Sequence, residues 1–71
     1  MKFPRDVGGR EIIIAMRRLG FTVQRQSGSH VQLQRDGIHV TVPMHNPVRI
    51  GTLRNILRQS GVSVEQLLEN L

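Results

Sequence analysis

The sequence predicts an α+β domain of order α-β-β-β-α, a three-stranded antiparallel sheet with two helices on one face and a short C-terminal helix. Three observations predict it. Apolar residues recur at helical spacing near both ends of the chain, they alternate with polar residues through its middle, and glycine-bearing turns interrupt the alternation. The 71 residues suit one domain, 1–71, and no repeat, linker or low-complexity segment divides them. A domain of this size buries only about 60% of its unfolded surface, so a thin core is expected.

Gly8-Gly9 opens the first element, and Ile12, Ala15, Met16 and Leu19 follow on one helical face. Ile12-Ile13-Ile14 favours a strand by propensity. The helix is preferred because Arg17-Arg18 suit a last turn and Gly20 suits the position after it. Three strands come next. Phe21, Val23 and Arg25 alternate with Thr22, Gln24 and Gln26, Val31 and Leu33 with His30, Gln32 and Gln34, and Ile38, Val40 and Val42 with His39 and Thr41. Asp36-Gly37 signals a two-residue type I′ hairpin, which pairs Arg35 with Ile38, Gln32 with Thr41 and His30 with Pro43. Leu33 and Val40 then share one face, and His30, Gln32, Gln34, His39 and Thr41 the other. A three-residue loop, Ser27-Gly28-Ser29, is expected in the first hairpin, pairing Gln26 with His30 and Val23 with Leu33, with Gly28 at positive φ. After a loop from Met44 to Ile50, Leu53, Ile56, Leu57 and Ser60 mark the buried stripe of a second helix that ends at Gly61. Ser63 and Gln66 form a capping-box start for the last helix, with Leu67, Leu68 and Leu71.

Composition narrows the function. There are no cysteines, so disulfides and thiolate metal sites are out. No apolar run reaches the roughly 18 residues of a membrane span, and residues 1–5 do not read as a signal peptide. A cytoplasmic protein without membrane contact is expected. Lys and Arg number 10 against 5 Asp and Glu, a formal charge of +5, and all but Lys2 of the basic residues are Arg. Arg presents a planar fork of donors suited to phosphate, so the excess points to nucleic acid. Phe3 and Phe21 are the only aromatic residues, which disfavours base-stacking platforms.

The carboxylates Asp6, Glu11, Asp36, Glu65 and Glu69 fall in separate elements or turns, which disfavours a two-metal nuclease. His30, His39 and His45 lack a recognised metal-ligand spacing, so neither a metal nor a small-molecule cofactor is expected. Metal-free RNA cleavage requires less. The 2′-hydroxyl is the nucleophile, and the protein must move two protons and stabilise charge on phosphorus. His30, after Gly28-Ser29, fits that need: the glycine turn admits a phosphate to the backbone and Ser29 adds a hydroxyl. On the residues alone, the reading of Gly28-Ser29 as an ordinary turn and of His30 as a solvated strand residue prevails, since a lone Gly-Ser-His is a weak motif.

Five segments in order carry a family resemblance: Leu19-Gly20-Phe21, Gly28-Ser29-His30, Thr41-Val42-Pro43 with His45 two residues on, Gly51-Thr52-Leu53, and Ile56 to Gly61. Through them the chain resembles the HicA toxins, also called the YcfA-like family, over almost its whole length. The resemblance implies a double-stranded-RNA-binding-like fold, mRNA cleavage and inhibition by a HicB-like antitoxin. The family's catalytic histidine maps onto His30, and RNA contacts are expected at Gly28, Ser29, Arg49, Thr52 and Arg54. The loop from Met44 to Ile50 departs from the family in holding one basic residue, Arg49, where many relatives have lysines. The expected function is therefore a metal-independent endoribonuclease toxin. The alternative is a non-catalytic RNA-binding module on the same fold. Such modules usually carry a lysine cluster at the start of the last main helix, where this chain reads Ile50-Gly51-Thr52-Leu53-Arg54. A degenerate toxin that only binds its antitoxin is a third reading, disfavoured by the intact Gly28-Ser29-His30.

Overall fold

The expected element order is found: α1 (Gly9–Arg18), β1 (Thr22–Ser27), β2 (His30–Arg35), β3 (Ile38–Pro43), α2 (Ile50–Ser60) and α3 (Val64–Asn70). The structure is a computed structural model and describes residues 4–71. Phe3 and Lys2 lie outside the described residues.

Burial overrides the strand propensity of Ile12-Ile13-Ile14. As a helix, the segment buries Ile12 fully with Ala15 and Met16, and turns Ile14 outward. Glu11 accepts a hydrogen bond from the Gly8 N–H at 3.2 Å and puts negative charge in the first turn. Arg17 and Arg18 fill the last turn. Gly20, at φ +98°, closes the helix as expected. Its N–H reaches the Arg17 carbonyl and the Phe21 N–H the Met16 carbonyl, both at 3.0 Å, the crossed pair of a Schellman ending.

The strands form one antiparallel sheet in the order β1-β2-β3. The second hairpin has the expected register, from Arg35↔Ile38 to His30↔Pro43. Asp36 and Gly37 both have positive φ, +50° and +79°, as a type I′ turn requires. The first hairpin corrects the expectation in part. Val23 does face Leu33, but His30 pairs with Ser27 and not Gln26. The loop is the two-residue Gly28-Ser29, with Gly28 at φ +60° in the first central position. An irregularity between Val23 and Arg25 absorbs the difference, leaving Gln24 as the extra residue of a bulge. The bulge matters for the site. Beyond it Arg25 faces Gln32, so its side chain joins the polar face with His30 instead of the apolar face with Val31.

The apolar face carries Val31, Leu33, Val40 and Val42 into a core with Ile12, Met16, Phe21, Leu53, Ile56 and Leu67. The stripe expected for α2 is the one buried, including Ser60, whose hydroxyl donates to the Leu57 carbonyl at 3.2 Å. Gly61 ends α2 in the left-handed region. Ser63 and Gln66 make the reciprocal capping-box bonds of α3 at 3.0 and 3.1 Å. Of the three leucines expected there, only Leu67 is buried; Leu68 and Leu71 are exposed.

Candidate active site

Backbone hydrogen bonds build the site by fixing the segment between β3 and α2. The Met44 N–H donates to the Ser29 carbonyl at 2.6 Å, tying the segment to the first hairpin. The Gly9 N–H donates to the His45 carbonyl, and the Val48 N–H to the Val7 carbonyl, both at 2.8 Å. The first hairpin turn and the chain entering α1 thus hold residues 44–48, and the loop carries His45 and Arg49 to the end of the sheet where His30 stands.

A groove of about 470 Å³ lies there, lined by His30, Thr41, Pro43, His45, Arg49 and Thr52. Its size falls within the roughly 300–1,000 Å³ typical of ligand clefts. A smaller depression of about 140 Å³ adjoins it, lined by Arg25, Ser27, His30, Gln32 and Thr41. His30 borders both. It is exposed, begins β2, and is flanked across the sheet by Ser27 and Pro43. Arg25 is held in place by a hydrogen bond from its Nε to the Gln32 Oε1 at 3.2 Å.

The groove also has a helix end on its wall. Arg49 is the N-cap of α2, and no side chain caps the helix. A guanidinium has no acceptor to offer, so it leaves the first-turn N–H groups open. No acidic residue occupies that turn. Arg49, the Thr52 hydroxyl and the helix dipole therefore all favour an anion at this wall. No carboxylate is among the residues that line the groove. Glu11 is bonded to the start of α1, Asp36 sits in the second hairpin turn, and Glu65 and Glu69 belong to α3. Among the described residues no three His, Cys, Asp or Glu gather as a metal-binding group.

Of the residues expected at the site, His30, Arg49 and Thr52 meet in the groove. Gly28 and Ser29 form the turn before His30, with open space where a Gly28 side chain would stand. Arg54 is exposed on α2 and is not among the lining residues. Sequence reasoning paired Pro43 with His30 and set Thr41 on the same sheet face, as found, but named neither as a site residue; it weighed His45 as a possible metal ligand and as part of the family motif, and it missed Arg25. The His30↔Pro43 register, which it did derive, was the signal for His45: two residues past Pro43, the chain is still beside His30. Arg25 was missed because the bulge was.

No helix among the described residues is long and apolar enough to cross a membrane. A comparison with curated proteins finds no match. A family model described as the HicA toxin of bacterial toxin–antitoxin matches residues 9–62. That span runs from the first residue of α1 past the end of α2 and contains every residue of the groove, and the chain belongs to the HicA toxin family.

Proposed function

We propose that this chain is a metal-independent endoribonuclease that cleaves mRNA, with His30 as a catalytic acid or base, and that a HicB-like antitoxin restrains it in the cytoplasm. The observation that carries the reading is the position of His30 on a groove shared with Arg49 and Thr52, in a chain of the HicA toxin family. The chemistry follows from those groups. A phosphodiester seated against Arg49, Thr52 and the start of α2 has its negative charge balanced by donors. Its 2′-hydroxyl supplies the nucleophile, so no activated water is needed. His30 exchanges a proton with the reacting oxygens at the groove wall. Gly28 and Ser29 let the RNA backbone approach the turn, and Arg25 extends the cationic surface across the sheet. Arg54, outside the groove, contacts RNA further along the strand.

The test is incubation of the purified protein with mixed mRNA, with and without EDTA. Cleavage undiminished by the chelator is expected. Binding without cleavage would favour the non-catalytic RNA-binding module, and strong inhibition by EDTA would return the metal mechanism.

A further inference from the structure

The reaction just proposed moves two protons, and His30 is one group. The 2′-hydroxyl must lose its proton as it attacks, and the 5′-oxygen must gain one as it leaves. The second group has to stand on the same groove, be accessible to the substrate and be able to hold a proton. Of the six residues lining the groove, two are imidazoles: His30 on β2 and His45 on the segment after β3. Both are exposed. Arg49 stays protonated and cannot exchange, and Thr41 and Thr52 offer only hydroxyls.

His45 is also well held for such a role. Its own carbonyl receives the Gly9 N–H at 2.8 Å, and the preceding Met44 N–H is bonded to the Ser29 carbonyl at 2.6 Å. The second bond links the backbone just before His45 directly to that just before His30. The two histidines are thus carried by chain segments fastened to one another beside the groove. The third histidine, His39, is on β3 opposite Gln34, four residues from Pro43 along the strand, or about 13 Å at the usual rise.

We propose that His45 is the second catalytic residue and that His30 and His45 divide the two proton transfers; this rests on the nuclease reading above. One imidazole takes the proton of the 2′-hydroxyl while the 2′-oxygen bonds to phosphorus. The other, entering as imidazolium, gives its proton to the 5′-oxygen as the bond from phosphorus to that oxygen breaks. The products are a 2′,3′-cyclic phosphate and a 5′-hydroxyl. The histidines end with their protonation states exchanged, and solvent restores them.

A leaving group that needs no proton separates this role from a structural one. An oligoribonucleotide that the wild type cleaves is compared with the same strand carrying sulfur in place of the bridging 5′-oxygen. His30→Ala, His45→Ala and the polar variant His45→Gln are assayed on both, with thermal unfolding as the folding control. Each variant is expected to lose about 100- to 10,000-fold on ordinary RNA. On the sulfur substrate, the variants of one histidine should recover to within about tenfold of wild type, since a proton donor is no longer required, while those of the other stay slow. Wild-type rates for both His45 variants on ordinary RNA would overturn the proposal. So would recovery at both histidines or at neither. A wild type that cleaves no RNA would instead contradict the nuclease reading, and a defect in His45 variants with His30→Ala fully active would contradict the role of His30 alone.

Discussion

Gly28 holds φ at +60°, yet a Cβ added there meets nothing within 4 Å. Any penalty at this position is therefore conformational and not steric crowding. For an L-residue the left-handed region costs roughly 1–2 kcal/mol, most for β-branched side chains and least for Asn. Gly28→Val should destabilise by about that amount and lower activity too, because the turn sets the position of His30 two residues on. Gly28→Asn should cost little in a thermal melt. Equal stability of the Val variant would mean that the turn does not need its glycine. At this scale the sequence was legible where a residue announces its own conformation, as Gly28, Gly37 and Gly61 do. It was less so at His45. Thr41 and Pro43 reach the groove through the β2–β3 register, which the turn residues do signal, whereas His45 is held by the Met44 N–H bonded to the Ser29 carbonyl and by the Gly9 N–H bonded to its own carbonyl, and such bonds leave no residue signature.

The elements meet most tightly where α1 starts. A Cβ built on Gly9 would overlap the Pro43 carbonyl oxygen and crowd Met44 Cα, both backbone atoms that cannot swing aside. The close approach lets the Gly9 N–H reach the His45 carbonyl. Gly9→Ala should push α1 off the end of β3, at about 1–3 kcal/mol for overpacking. A fall in Tm of at least about 4 °C is expected. Gly51 offers the contrast, since it lies in the first turn of α2 with nothing near its missing side chain. Gly51→Ala should leave Tm unchanged or raise it, through helix propensity. Calorimetry of the pair checks both, and a Gly9→Ala variant as stable as wild type would contradict the packing described. The same scale shows what pattern reading resolves. Asp36-Gly37 fixed its hairpin because a two-residue turn leaves one register. Gly28-Ser29 is an equally short turn, but keeping Val23 opposite Leu33 then requires a bulge at Gln24, and alternation gives no warning of an extra residue.

Across the whole molecule, the formal charge of +5 sets the field that a partner meets. Arg25 and Arg49 stand at the two depressions that share His30, whereas Glu65 and Glu69 sit on α3. RNA and an acidic partner would both answer to that field, which under the proposed function steers both to the same face. Direct competition is expected, with the antitoxin covering His30. Amide-exchange protection of the complex should appear in residues 28–34; protection confined to residues 63–71 would place the antitoxin on α3 and contradict competition. The architecture was legible at this scale because binary patterning, caps and turns all agreed. The groove was not, since it exists only where β2, β3, the loop after β3 and α2 converge. His30 carries the proposed chemistry most directly. Purified wild type and His30→Ala are to be compared on mixed RNA, with circular dichroism confirming that both are folded. The variant should cleave about 100- to 10,000-fold more slowly, and a folded His30→Ala protein that cleaves RNA as fast as wild type would contradict the central claim.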